Sequence, residues 1–311
     1  MTDISDYDKF DYDYTTYWDK RGYENSAEKY VLNKIFYTKR GKWFLDIGGS
    51  YGRLTSTYYE QYDKPVILDY SLKTLQRNKE SLLNKYPNTQ LIAANAYKMP
   101  FKQNSFDGAI MVRVLHHIEK PGSYFKELKR VLEDNSSYIQ EYANKIHIKA
   151  RIKALMKLNF DIYSKEPYQQ PTVNTPEGSK EDQESIFYNY HPKYIKDLLK
   201  ENNFQIERKF GCSFLRSPFM KKLMSENLMM FFEKFMQITL SWTDISPSII
   251  LETKLLKNRT EEEQGANELK DILVCPSCKE TLLFKSDDSA VCKKCSQNFF
   301  KKDDIWDFRV K

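Results

Sequence analysis

Apolar and polar positions alternate in blocks along the first 256 residues. Residues 43–47, 64–69, 90–94, 106–113 and 137–141 are short apolar runs bounded by turn residues, the pattern of buried strands. Between them, 53–62, 71–86 and 121–133 read as helices, with Pro121 suited to a first helical position. Two further strands are predicted over 204–209 and 248–254, on either side of a Met- and Phe-rich helix over 219–240. Strands alternating with helices imply a parallel sheet with right-handed crossovers. The expectation is an α/β, Rossmann-like, seven-stranded domain with helices on both faces.

The blocks stop at residue 256. Residues 257–270 carry a single large apolar residue, Leu269, and read as a linker. The chain thus divides into an N-terminal helical lid over 1–40, a main domain over 41–256 and a small domain over 271–311. Segments near 143–190 and 215–245 read as lid-like insertions. The stretch 163–182, with Pro167, Pro171 and Pro176, reads as a mobile substrate loop. Among 311 residues, 49 Lys and Arg face 43 Asp and Glu, a net charge of +6 too small to demand a nucleic-acid partner. The surplus is uneven, because residues 1–30 hold eight acids and only four bases. Tyr12, Tyr14, Tyr17 and Trp18 in that acidic arm are costly to leave in water, so the arm is expected to pack over something. No apolar run is long enough to span a membrane, and the start of the sequence resembles neither a signal nor a transit peptide. A cytoplasmic protein with no membrane partner is expected, and the sequence does not give its oligomeric state.

Four of the five cysteines form two CxxC pairs, Cys275 with Cys278 and Cys292 with Cys295, thirteen residues apart. Two such knuckles predict a structural zinc site, with every tetrahedral position filled by sulfur and none open for catalysis. A segment of about forty residues buries too little core to fold without such help. Cys212 stands alone and reads as a small buried residue. The tail from Asp271, with its two knuckles and its ending Asp304-Ile305-Trp306-Asp307-Phe308-Arg309, resembles the zinc-ribbon family of methyltransferase activator subunits. The resemblance implies a partner or appendage of a methyltransferase rather than a catalyst.

Open α/β sheets bind ligands at the carboxyl ends of their strands. Three predicted loops there carry informative residues. The first, Asp46-Ile47-Gly48-Gly49-Ser50-Tyr51-Gly52, follows the first strand, where glycines let the backbone approach a ligand. Its D-x-G-x-S-x-G spacing is neither the dinucleotide GxGxxG nor a triphosphate loop. The second is Asp69, a carboxylate placed to accept two ribose hydroxyls, with Tyr70 beside it. In the third, Ala94-Asn95-Ala96, the Asn95 amide can read an adenine edge.

These loops resemble the class I S-adenosylmethionine-dependent methyltransferases. Met99-Pro100-Phe101, Ser105-Phe106-Asp107, Val114-Leu115-His116-His117-Ile118 and Glu127 to Leu132 resemble the type 11 branch. The resemblance covers residues 40–145 well and later strands loosely. It implies S-adenosylmethionine as cofactor, with Asp46, Gly48, Ser50 and Gly52 at its methionine part. Asp69 would meet its ribose, and Asn95 and Ala96 its adenine. Ser50 departs from the usual middle glycine. Arg113 departs from a usually small or polar position and reads either as a salt bridge at the sheet edge or as a charge facing the cofactor carboxylate or an acidic acceptor. The stretch Tyr17-Trp18-Asp19-Lys20-Arg21 resembles a small-molecule methyltransferase lid, which makes Tyr17 and Arg21 candidates to cover the cofactor carboxylate.

The cofactor motifs leave the acceptor open. The Asn/Asp-Pro-Pro-Tyr/Phe loop of exocyclic-amine methylation is absent, and Cys212 is the one cysteine that could lie near these loops for ring-carbon methylation of cytosine, so neither class is expected. His116, His117 and His191 are candidate bases, or structural residues. His147 reads as surface. Arg113, Tyr142, Lys145, Tyr190, His191 and Arg216 are candidate substrate residues. Lys145, Lys149, Lys153 and Lys157, spaced by four, would form one basic stripe on a helix, either a solvated face or an entry surface for an acidic substrate. The leading expectation is methyl transfer to a hydroxyl or carboxylate oxygen of a small molecule or peptide. The alternatives are an RNA methyltransferase that grips RNA with the ribbon and the basic stripe, and a non-catalytic binder that keeps the cofactor fold.

Overall fold

A computed structural model describes residues 8, 16–169, 187–257 and 266–310. The expected arm residues Tyr12 and Tyr14, most of the proline-bearing loop and most of the linker lie outside the described residues.

The first strands are β1 (Gly41–Ile47), β2 (Tyr62–Asp69), β3 (Gln90–Ala93), β4 (Phe106–Met111) and β5 (Leu132–Ala143). A two-stranded ribbon of β6 (Tyr168–Gln169) and β7 (Tyr188–Asn189) follows, then β8 (Phe204–Cys212) and β9 (Ser248–Leu255). The helices of this part are α1 (Gly22–Phe36), α2 (Leu72–Lys85), α3 (Pro121–Val131), α4 (Ile148–Lys157), α5 (Pro192–Glu201), α6 (Pro218–Leu223) and α7 (Glu226–Thr239). Seven strands form the expected sheet in the order β3-β2-β1-β4-β5-β9-β8. β9 runs antiparallel to both neighbours, and the strands from β3 to β5 pair in parallel. Their runs are apolar because both faces are covered, as in β1, where residues 43–47 are all buried.

Two expected helices differ. Residues 53–62 form two short 3-10 turns, Thr55–Thr57 and Tyr59–Gln61. The stretch Thr-Ser-Thr-Tyr-Tyr is poor in helix formers, and the Thr57 hydroxyl bonds the Leu54 carbonyl at 2.7 Å. The helix expected over 219–240 breaks at Met224–Ser225, where the Ser225 side chain accepts from Leu228 N and starts α7 afresh.

The C-terminal segment departs most from expectation. After a four-residue helix α8 (Leu269–Ile272) come β10 (Leu282–Phe284), β11 (Ser289–Cys292), β12 (Asn298–Lys302) and β13 (Ile305–Asp307). They do not stand apart. β13 pairs in parallel with β3, Trp306 beside Ile92 and Asp307 beside Ala93, so one sheet of eleven strands results. Phe308 N adds a 2.8 Å bond to Ala93 O. Lys102 N and Val274 N bond Ile272 O and Pro100 O, and Lys279 reaches Met99 O and Glu127. Trp306, Phe308, Leu273 and Phe299 share one buried cluster with β1–β5. The ribbon uses an otherwise open sheet edge, a long-range pairing that local patterning does not reveal.

Candidate active site

The loop after β1 is shaped by backbone need. Gly48 has φ +70°, and a Cβ there would meet Val114 Cγ2 at 2.4 Å; Gly52 has φ +75° and would meet Leu82 at 2.4 Å. Ser50 takes a left-handed φ of 51° without being glycine. Its N–H is donated to Asp69 Oδ2 at 2.9 Å, which ties this loop to the end of β2. Ser71 N donates to Asp69 Oδ1 at 2.8 Å, at the start of α2. Asp46 is buried and accepts from the Tyr58 hydroxyl at 2.7 Å. Burial pushes the Asp46 carboxyl up to about 7, against the Tyr58 hydrogen bond and Arg53. Burial likewise raises Asp69 to about 6, against the N–H groups of Ser71 and Ser50. Asn95 is buried after β3, its Oδ1 taken by Tyr97 N at 2.8 Å, with half-buried Ala96 beside it.

The N-terminal elements close over this edge. Glu28 of α1 is fully buried and accepts Arg53 on one oxygen at 2.8 Å and Arg113 on the other. One carboxylate thus ties the glycine loop to the residue after β4. Burial opposes the Glu28 charge, but Arg113 and Arg53 hold its carboxyl below its ordinary range. Of the two readings of Arg113, the structure contains the salt bridge. Trp18 lies over Arg53, its ring centroid 3.7 Å from the guanidinium carbon, and Arg21 lies 4.1 Å from the Tyr17 ring. Trp18 also lies 5.8 Å from the Arg113 guanidinium, so this N-terminal turn sits near the clamp. Asp8 anchors the other end: its carboxylate accepts Ser71 Oγ at 2.7 Å and Lys73 N at 3.1 Å, and Arg309 pairs with it from just past β13. Arg309 also lies 5.9 Å from the Tyr70 ring. A cavity of about 340 Å³ opens there, between Tyr70, Phe300, Asp307 and Arg309.

Other candidates are split between faces. Arg216 follows β8 and is half-buried. Among the described residues its guanidinium makes no hydrogen bond or ion pair. Burial and the nearby Arg113 bring it down to about 10, and Glu141, Glu24 and Arg21 also act on it. Glu141 is engaged by Arg113 N at 2.9 Å and by the Ser248 hydroxyl. Tyr142 and Tyr190 belong instead to the cluster with Tyr124 and Tyr138. The Tyr142 hydroxyl is buried and has no partner among the described residues. Tyr190 braces the turn that carries the histidines, donating to Leu115 O at 3.1 Å and Ile118 O at 3.2 Å. His116 is buried against His117 and Phe187, and burial, His117 and Arg113 keep it well below its usual range, so it is neutral. His191 caps α5 through Nδ1, accepting Lys193 N at 3.1 Å. Lys145 is not on α4. It is buried and donates to Ser164 and Glu166, so the basic stripe is reduced to Lys149, Lys153 and Lys157. His147, expected at the surface, is half-buried, and its Nδ1 has no partner among the described residues.

The roles of Glu28, Arg53, Tyr58 and Asp8 were not apparent from the sequence. A signal existed for Glu28: Glu24 and Glu28 stand four apart among buried Tyr23, Ala27 and Val31, two acids on an apolar helix face.

The four sulfurs of Cys275, Cys278, Cys292 and Cys295 all lie within 4.8 Å of one another. Separations of 3.6 Å (Cys275 to Cys295) and 3.4 Å (Cys278 to Cys292) approach the roughly 3.8 Å of a tetrahedron with zinc–sulfur bonds of about 2.3 Å. Burial works against a Cys292 thiolate, but the N–H groups of Cys295 and Lys294 bring it down to about 7. The cluster fits a small zinc-binding domain. The buried acids and glycine turn likewise fit a cofactor with ribose hydroxyls and an α-amino acid end.

A family model described as a methyltransferase domain matches residues 45–139, from β1 into β5. An uncharacterized protein of Methanocaldococcus jannaschii is 30% identical over 215 residues, 68% of this chain and 80% of that one. A ubiquinone/menaquinone biosynthesis C-methyltransferase of Escherichia fergusonii is 27% identical over 146 residues, 40% of this chain and only 57% of that enzyme. Among solved structures, the 1,6-didemethyltoxoflavin-N1-methyltransferase of Burkholderia thailandensis, with its substrate and S-adenosylhomocysteine bound, has a TM-score of 0.50 at 12% identity. It covers 78% of this chain and 85% of that one, a likeness of fold. Fold and family model together define an S-adenosylmethionine-dependent methyltransferase. The chain belongs to the family of the Methanocaldococcus protein.

Proposed function

We propose that this methyltransferase acts on a hydroxyl or carboxylate oxygen of a small molecule or peptide that carries an anionic group, and that Arg216 holds that group. The observation that carries this reading is the half-buried Arg216 guanidinium, which among the described residues has no partner, beside Arg113, which is paired with Glu28. A cation just past β8 with no partner among the described residues favours an anionic acceptor.

When bound, S-adenosylmethionine supplies an electrophilic methyl on a good leaving group. The chain's part is to bind, orient and exclude water. Asp46 and the backbone of Gly48 to Gly52 would hold the methionine part, Asp69 the ribose hydroxyls, and Asn95 with Ala96 the adenine, with Tyr70 alongside. Tyr17, Trp18 and Arg21 cover the site through the Glu28 clamp. A carboxylate acceptor needs no base. For a hydroxyl acceptor, His117 and the Nε2 of His191 are candidates to take the proton, and His116 a third whose burial opposes its protonation. Zinc on the four cysteines would be structural, and the ribbon's likeness to activator subunits suggests that this chain carries its own activator-like module.

Methyl-labelled S-adenosylmethionine with an extract of the source cell tests the reading. Label in a small or peptide fraction is expected, and Arg216→Ala should raise the acceptor KM at least tenfold with cofactor affinity unchanged. Ribonuclease-sensitive label would replace this reading with RNA methylation. Cofactor affinity should also depend on pH. Ribose hydroxyls donated to Asp69 favour its ionised form, so affinity is full above about 7 and falls roughly tenfold per unit below about 6. Calorimetric titration with S-adenosylhomocysteine across this range reads the slope, and Asp69→Asn should flatten it.

A further inference from the structure

Fifteen of the twenty exposed large apolar side chains among the described residues lie in two stretches, 148–163 and 219–242. The exposure is therefore concentrated rather than scattered, and these stretches are the two helical insertions. On α4, Leu155, Met156 and, just after it, Leu158 are 65%, 80% and 78% exposed. On α7, Phe231, Phe235 and Ile238 are 68%, 62% and 70% exposed, at the i, i+4, i+7 spacing that makes one stripe. The opposite sides of both helices are anchored: Ala154 of α4 is buried, and so are Met229, Glu233 and Gln237 of α7. The first turn of α4 lies against the turn that follows α7, where Ile148 N bonds Ile245 O at 2.9 Å and Arg151 bonds Thr243 O and Asp244 O, each at 3.1 Å. The apolar side chains thus face outward from two anchored helices linked through that turn, which is unusual for a surface facing only water.

The exposed charge around them is mostly positive. Exposed Lys149, Lys153, Lys157, Lys222 and Lys234 lie in these stretches, against exposed Asp161 and Glu226. Glu226 already accepts a bond from Ser26 at 2.9 Å. Aromatic and aliphatic side chains flanked by lysine are what an interfacial helix presents to an anionic bilayer. A second copy of the chain is a poorer occupant, because a two-fold contact would set the lysines against one another. RNA is a poorer one still, because it would leave the apolar stripe without a counterpart.

We infer that α4 and α7 form a docking surface for an anionic lipid bilayer, which no sequence feature had suggested. The inference goes beyond the acceptor assignment and does not depend on it. α4 follows β5, and α6 and α7 follow Arg216, so the docked enzyme would turn this end of the sheet toward the lipid.

The full chain, loaded with zinc, would be sedimented with vesicles of phosphatidylcholine alone and of phosphatidylcholine mixed with phosphatidylglycerol. Binding to the mixed vesicles is expected, weakening as salt rises. The triple variant Phe231→Ser, Phe235→Ser, Ile238→Ser should bind them roughly tenfold more weakly or worse. Lys149→Gln, Lys153→Gln, Lys157→Gln should lose the preference for the anionic lipid. Zinc content and S-adenosylhomocysteine binding report whether each variant is folded, and both are expected to be unchanged. Failure of the wild-type chain to bind the mixed vesicles, or binding indifferent to both variants, would overturn the inference. So would a wild-type dimer that the triple variant converts to monomer without any vesicle binding, which would assign the surface to a second copy.

Discussion

Asp69→Ala is expected to weaken S-adenosylmethionine binding by about two orders of magnitude while leaving the zinc content intact. Each charge-assisted bond from a ribose hydroxyl to this buried carboxylate contributes roughly 1.5–3 kcal/mol. Two of them account for about 3 kcal/mol, or a factor of about a hundred in affinity. The same carboxylate joins Ser50 N to Ser71 N, the glycine loop to the start of α2. Its removal strands both donors and should cost a further 1–3 kcal/mol or so of stability. Calorimetry with the cofactor and a denaturant melt separate the two effects. The metal is a control, because the cysteine cluster is built from other elements. Normal cofactor binding by this variant would mean the ribose lies elsewhere.

Cys275→Ser is expected to be more damaging to the fold. Losing one of four thiolates should release the metal, and structural zinc contributes on the order of 10 kcal/mol to folding in small domains. The damage would not stop at the ribbon. β13 is hydrogen-bonded to β3, and Trp306 and Phe308 lie in the main core. Unravelling the ribbon would expose both rings, each accounting for roughly 1.5–3 kcal/mol, and leave β3 as an open edge. A Tm lower by about 10 °C or more is the expected result. Cofactor affinity should fall with it, because Arg309, which pairs with Asp8 beside Ser71 and Tyr70, hangs from the end of β13. Chelation of zinc from the wild-type chain should do the same. A chain that gave up its zinc and kept its Tm would show that the ribbon is held by packing alone.

How far the sequence was legible follows the range of the forces involved. The seven strands of the main sheet were readable because each is a local apolar run that both faces of the sheet require. The glycine loop and Asp69 were readable for the same reason: a turn with positive φ and an acid at a strand end are properties of a few adjacent residues. The clamp of Glu28 on Arg53 and Arg113 was not, because it joins three elements that only the folded chain brings together. The merging of the ribbon with the sheet was hidden likewise, since nothing local to Ile305–Asp307 names β3 as its neighbour. Lys145 shows the reverse error. Its spacing fits a helical stripe, but α4 begins three residues later and the side chain turns inward to Ser164 and Glu166. The 53–62 helix failed because threonine side chains compete locally for the backbone.

The most direct measurement of the central claim is a calorimetric titration of the zinc-loaded chain with S-adenosylhomocysteine, alongside Asp69→Ala. One saturable site per chain is expected in the wild type and a roughly hundredfold weaker one in the variant. No heat of binding in the wild type at millimolar ligand, or equal affinity in both, would contradict it.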